Sequence, residues 1–572
     1  MKPKHPYGAV AVWCVAFFAL VSSLCAQEAP APRHTGVPQD WSQRHIVFSR
    51  DALALQPDLI YREPRILHQA MQRWQVPNLG VSQGADPALA PADNSGPQRD
   101  WNVAPLGGRL DADMFPAKFS FDPAGTPDCA NDYVVFGLYI ASTGKQANLV
   151  AFNNLYVGTG GGYCGAGPKP TVLFAYNITT VTGGKIVTSP VLSEDGTKIA
   201  FVESIPATAG PPATSSSAIF HVVTWAANAP GNRGAIGAAV VPVSMTSLTF
   251  SPSAHSPSAA NDTTSSPWVD YRSDTAYVGA DNGVVYKITG VFNGTPTLVG
   301  LPWPVTVSLN FHLTPPVLDS VLGWLMVGSR NGKLYQINPA SGTLVKTLPV
   351  GAGTNHGILA APIVDITNGT TFVVSSNNGT SAVLVEADTA TLTLLSETSI
   401  GLGSASGTAV NLYEPAFDNN YYNNPSTGLV RLCGTGPADV TPWQYAFGFT
   451  GRTMNTTPAT GFPQQLLTST AARCTGWTEF FNPNIGALPG TDFFFFGLSQ
   501  DCTAAGAAGG CVEEFSINGA TTTTKTAAIT GGPTGIIVDN SANPTNYPQA
   551  SSIYFAAGGF NAAYKFTQNG LQ

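Results

Sequence analysis

Charged side chains are scarce in this chain. Lys, Arg, Asp and Glu make up 10% of its 572 residues, against about 25% in an ordinary soluble domain. Twenty-six basic residues face 34 acidic ones, for a formal net charge of −8. A nucleic-acid partner is thereby excluded, because phosphate binding needs a basic footprint. Few Lys, Glu and Arg also means few good helix formers, which favours β structure. Beyond one stretch near the start, no apolar run approaches the ~20 residues of a membrane-spanning helix. Histidine is thin too, and only His221, His255, His312 and His356 fall after residue 111. No Gly-x-Ser-x-Gly elbow, His-Glu-x-x-His pair or phosphate loop occurs. The commonest hydrolase, zinc-protease and nucleotide-binding signatures are therefore missing.

What is present begins with an export signal. Lys2 and Lys4 form a basic start, Ala9–Leu24 a short apolar stretch, and Leu24-Cys25-Ala26 a cleavage site before Gln27. Residues 1–26 are read as a signal peptide, and the mature chain is expected to be secreted or periplasmic. Lipid attachment at Cys25 is disfavoured by the bulky Leu24 before it. Residues 27–110 follow as an irregular N-terminal segment expected to pack on or close what comes after. Within it, Pro64–Trp74 spaces Ile66, Leu67, Ala70, Met71 and Trp74 like one face of a short helix. That helix is expected to pack on the rim.

Residues 111–572 repeat one unit. Its clearest copy is TPPVLDSVLGWLMVGSRNGKLYQI, Thr314–Ile337: a Pro-led strand, a turn, an alternating apolar strand, an Asn-Gly hairpin and a third strand. Asn-Gly here predicts a two-residue turn with positive φ at both positions. Copies are led by Pro116, Pro190, Pro267, Pro316, Pro362, Pro415, Pro483 and Pro533. Spacings of roughly 45–75 residues lie near the range of four-stranded propeller blades. The fold class is all-β: a single propeller of eight four-stranded blades, with seven as the alternative. The last copy runs out after three strands. A segment ahead of Phe115, either His45–Ser49 or Trp101–Ala104, is expected to supply the fourth. Phe493–Phe496 reads as a buried central strand.

Six cysteines remain after the leader. Fifteen pairings are possible, and overlaying the repeat reduces them to Cys129–Cys164, Cys433–Cys474 and Cys502–Cys511, each expected within one blade. Disulfides fit an oxidising compartment, and no Cys-x-x-Cys spacing favours zinc.

The unit around LYQINPASGTLVKTL resembles the PQQ-like repeat of quinoprotein-type propellers, and Ser193–Lys198 resembles the turn of TolB-like propellers. The motifs DWSQRHIVFS and MFPAKFSFD are similar to those of a group of uncharacterised secreted bacterial propeller proteins. Resemblance to the quinoproteins implies a quinone held by a vicinal disulfide over a Trp floor, with Ca²⁺. This chain has no adjacent cysteines, and Val345 and Leu395 stand near the expected Trp. No cofactor is predicted.

Two features could carry chemistry. Asp270, Asp319, Asp365, Asp418 and Asp539 recur at one position after each first strand, where they could bind Ca²⁺. Recurrence favours a turn-capping role, since Asp bonds local backbone. His312 and His356 precede the first strands of consecutive blades and are weak candidates for a metal or acid–base site. No catalytic residue is assigned. The expected function is that of a non-catalytic monomer presenting loops to an extracellular or envelope protein, peptide or glycan. The alternative is a propeller enzyme whose channel site, possible metal included, acts on a carbohydrate or lactone.

Overall fold

The first strand of each repeat is short and apolar and leads into a hairpin, so each unit folds as an antiparallel meander and units pack face to face. The computed structural model describes residues 36–49, 63–74, 96–111, 113–122, 126–141, 143–158, 161–207, 216–251, 262–351, 356–404, 410–483, 485–486, 490–502, 509–519, 521–540, 547, 549–568 and 571. The proposed signal peptide lies outside them. The chain forms eight blades in a propeller ring. Blade four is the plainest: Val317–Asp319, Trp324–Ser329, Lys333–Asn338 and Thr343–Pro349 pair in sequence order. First strands line the channel and fourth strands lie outermost.

The hairpin in that blade departs from expectation. Ser329 pairs with Lys333, so the loop has three residues, and of these only Gly332 has positive φ, at +75°. This is the three-residue hairpin, with glycine alone in the left-handed region. Phe493–Phe496 lies in the fully buried second strand of blade seven, Thr491–Leu498.

Blade eight contributes only Ile537–Asp539, Ser552–Ala556 and Ala563–Thr567 from the C-terminal end. Its outermost strand is β3 (Gln98–Val103), antiparallel to the last of these. Trp101–Ala104 thus overlaps the closing strand. His45–Ser49 does something else. Two short strands, β1 (Val37–Gln39) and β2 (Ile46–Val47), flank a 3-10 turn at Trp41–His45. β1 pairs antiparallel with the first strand of blade one, and β2 pairs parallel with that of blade five. Blades one and five face each other across a ring of eight, so residues 36–49 cross the channel.

Helix α1 (Pro64–Trp74) packs in the channel rather than on the rim. Ile66, Leu67 and Ala70 are buried, and its arginines clamp channel-lining residues. Arg65 lies 3.9 Å over the Trp268 ring of blade three and donates to Val269 O at 3.0 Å. Arg73 lies 3.6 Å over Tyr422 and pairs with Glu479 at the first strand of blade seven. Tyr271, 5.1 Å from Arg65, follows the first strand of blade three, and Asn419 and Tyr422 beside Arg73 follow that of blade six, which puts α1 toward the exit end of the channel.

Two of the expected leading prolines do not lead. Pro483 follows the first strand of blade seven, Thr478–Asn482, and Pro533 stands four residues ahead of Ile537–Asp539. A better marker is a hydroxyl two residues before the leading position. Thr188, Ser265 and Thr314 accept the N–H of Val202, Gly279 and Gly328 on the next strand. Thr475 and Thr534 do the same for Gly497 and Ala556. Counted from these hydroxyls, Trp477 and Ile536 occupy the place of proline in blades seven and eight.

Candidate functional site

The channel has two ends with different chemistry. At the entry end, where first strands begin, a funnel of about 260 Å³ opens. Asp113, Val187, Thr264, Leu313 and Leu359 line it, and each stands three residues before the leading proline of blades one to five. The repeat therefore delivers one side chain per blade to this face, and the sequence is free to vary it. Arg330, His312, Asn411 and Tyr413 add polar groups from adjoining loops.

Carboxylates dominate the floor. Burial, with Glu414 beside it, pushes the Asp113 carboxyl well above the usual carboxylate range, against the pull of Arg44 and Arg330. Burial also raises Asp111, opposed by Arg109 and Lys185. The Tyr413 hydroxyl is raised by burial and by the negative charge of Asp113 and Glu414. Beneath the floor, Arg44 donates to Glu414 Oε1 at 2.9 Å and to Ile536 O at 2.6 Å, bonds Thr478, and lies 4.1 Å from the Phe115 ring centre. One guanidinium thus ties the channel-crossing segment to four blades.

Of the two candidate histidines, His312 lines the funnel and His356 does not. His312 Nδ1 lies 2.7 Å from Asp281 Oδ2, an ion-pair distance whose angle does not make a directed hydrogen bond. Asp281 is 5% exposed. His356 sits at positive φ, +75°. The Arg330 backbone links the two loops, its N–H to His312 O and its C=O to Gly357 N–H. Among the described residues, the one group of three His, Cys, Asp or Glu ligand atoms within 4.8 Å is Cys502, Cys511 and Glu513. Those cysteines are bonded to each other, so they offer no thiolates.

The recurring aspartates act on backbone. Asp270 accepts from Arg272 N, Asp319 from Val321 N and Leu322 N, and Asp365 from Thr367 N and Asn368 N. Asp418 caps a short helix through Tyr421 N. Asp539 differs: it pairs with buried Lys118 at 2.8 Å and accepts from Tyr156 at 3.0 Å, joining blade eight to blade one.

The three disulfides pair Cys129 with Cys164, Cys433 with Cys474 and Cys502 with Cys511. Cys433 lies in the second strand of blade six, whereas Cys474 bridges to Leu498 of blade seven. The middle disulfide therefore joins neighbouring blades instead of closing a loop inside one.

Between the channel-crossing segment and blades six to eight lies a smaller cavity of about 80 Å³. Its walls include Gln39, Gln43, Gln69 and Arg73 on one side and Phe417, Tyr422, Trp477 and Ile536 on the other. Sequence reasoning missed Arg44, Asp113 and this cavity. The Pro-minus-three register would have found Asp113, while nothing in the repeat marks a segment that lies outside it.

No protein-family model matches the chain, and no curated protein matches it either. Among solved structures, BamB from Moraxella catarrhalis is similar at 13% identity and a TM-score of 0.43, over 82% of this chain and 99% of that one. The Dos1 propeller is similar at 9% identity and 0.46, over 82% and 96%. The WD40 domain of coronin from Toxoplasma gondii is similar at 12% and 0.37, over 75% and 83%. The blade pairings themselves establish the propeller.

Proposed function

We propose that this chain is a secreted, monomeric, non-catalytic binding propeller that takes a polar group of a protein, peptide or glycan into its entry funnel. The observation that carries the reading is the filled channel. Residues 36–49 and α1 occupy the space in which a propeller enzyme would bury a substrate, and recognition is left to a funnel with mixed polar walls. Three disulfides suit an oxidising compartment, and no helix among the described residues is long and apolar enough to cross a membrane.

One arrangement favours a second reading. A half-exposed His312 beside buried Asp281, in one funnel with an Asp113 carboxyl whose affinity for a proton is raised by burial, has the parts of an acid–base site. One experiment separates the two. The chain from Gln27 onward is screened on glycan and peptide arrays, and in parallel against chromogenic glycosides and lactones, together with Arg330→Ala and His312→Ala. Binding lost in Arg330→Ala, without turnover, is expected. Turnover abolished by His312→Ala would replace the binding reading with the enzymatic one. Binding unchanged in both variants would move recognition away from the funnel.

A further inference from the structure

The inner cavity has walls that are chemically unfinished. Gln69 Nε2 donates to Ile46 O at 2.5 Å and Gln43 Nε2 donates to Pro38 O at 2.7 Å. Because a carbonyl only accepts, these bonds fix both amides, and the Oε1 atoms must be the free acceptors. Oε1 of Gln39, Gln43 and Gln69 has no protein partner, and neither has Nε of Arg73 or Nε1 of Trp477. All five residues line this cavity. Gln39, Gln69, Arg73 and Trp477 are 5%, 6%, 6% and 1% exposed. Asp40 Oδ2, in the same walls, is unpartnered as well; buried polar groups are paired as a rule, so six partnerless atoms around one cavity point to a ligand.

We propose that this cavity, separate from the funnel, binds a small neutral polyol, from a triol up to the end of a monosaccharide. A cation would meet Arg44 and Arg73 in the same walls, and an anion would meet Asp40, Glu479 and three amide oxygens. A hydrocarbon would leave all six atoms unpaired. Hydroxyl groups donate and accept alike, so a polyol satisfies the amide oxygens and the two N–H groups together. Its C–H faces meet Phe417, Tyr422 and the Trp477 ring, which is stacked on Phe496 at 4.2 Å. A cavity of about 80 Å³ suits a small molecule or a few waters, since one water takes about 30 Å³ of liquid. The ligand would lie between the channel-crossing segment and the ring, and so hold one to the other.

The test titrates the chain from Gln27 onward with glycerol, erythritol, xylitol, glucose, mannose and galactose, read by saturation-transfer NMR. Polyols also stabilise proteins by exclusion from their surfaces, so melting shifts alone do not count. Trp477→Phe removes one N–H and keeps a ring, and Gln69→Met removes one acceptor at similar volume. Saturable binding of at least one compound, weakened tenfold or more in each variant, is expected. No saturable binding by the native chain, or equal binding by both variants, overturns the proposal. Should either variant fail to fold, a crystal of the native chain soaked with the panel decides: polyol density in the cavity supports the site, and waters only, or an adventitious additive only, overturns it.

Discussion

The hydroxyl of Thr314 accepts the Gly328 N–H at 2.9 Å, and Thr314 is 2% exposed. Gly328 has no room for a side chain, because a Cβ there would stand 2.6 Å from Ile358 of the next blade. The pair therefore fixes both the inner hairpin and the blade spacing. Thr314→Val keeps the shape and leaves a buried N–H unpaired, a cost of about 1–3 kcal/mol, to be read as a lower denaturant midpoint. Glu386 gives a residue-scale pH dependence. It is fully buried, accepts Met454 N at 2.6 Å and has no partner at Oε1. Burial pushes its carboxyl from 4.5 up to about 7. The folded state thus holds this proton more tightly than the unfolded chain does, and stability falls as pH rises from about 4.5 through 7. The loss is up to about 3 kcal/mol and is complete near pH 8. His45 and His68 tilt the other way: burial lowers them to about 3 and about 4, so acidification below about pH 6.5 protonates their unfolded forms and costs stability. Replacing Glu386 with Gln should leave the acid limb alone and flatten the fall between pH 5 and 8. Unchanged melting profiles on the alkaline side would show that Glu386 ionises freely in the fold.

β3 is the element on which the ring depends. It joins the C-terminal strand through a buried pair, Asp100 with Lys565, whose side chains are 8% and 0% exposed. Asp100 also accepts from Thr567 at 2.6 Å. Removing one partner strands a charge indoors, so Asp100→Asn should cost about 3–5 kcal/mol, while Asp100→Asn with Lys565→Met together should recover much of that. A double variant no more stable than the single would show that the pair is not coupled. The blades themselves were legible in the sequence, because a meander writes its strands locally: an apolar alternation, a turn, a leading proline. Closure was half legible. A missing fourth strand implies a donor, but the choice between His45–Ser49 and Trp101–Ala104 depends on partners more than 300 residues away, and no local pattern encodes those. α1 was legible as a helix from its spacing, yet its place in the channel was not. Amphipathic spacing says that one face is buried and not against what, and nothing local assigns Arg65 and Arg73 to Trp268, Tyr422 and Glu479. Pro483 misled for a related reason: in blade seven Trp477 holds the position that proline holds elsewhere, and the hydroxyl of Thr475 marks the register instead.

At the scale of the molecule, residues 36–49, 63–74 and 96–103 serve the ring in two separable ways. β3 completes the last blade, while β1, the 3-10 turn, β2 and α1 fill the channel. A chain starting at Asp111 loses both, leaving the Ala563–Thr567 strand as an open edge and stranding Glu414, Glu479 and Lys565 without Arg44, Arg73 and Asp100. It should aggregate, and a stable monomer from it would show that blade eight needs no fourth strand. The informative variant moves residues 96–110 behind Gln572. It restores β3 to its neighbour and omits only the channel segment. Ring closure is then complete, and the channel floor, freed of Trp41, Phe48 and Ile66, opens to water, which can hydrate the released carboxylates. This permutant should fold cooperatively but melt below the native chain, because it forgoes the apolar burial of those side chains. Were it as insoluble as the Asp111 truncation, the channel segment would be a folding element in its own right, and blades one and five would depend on the strands that β1 and β2 lend them.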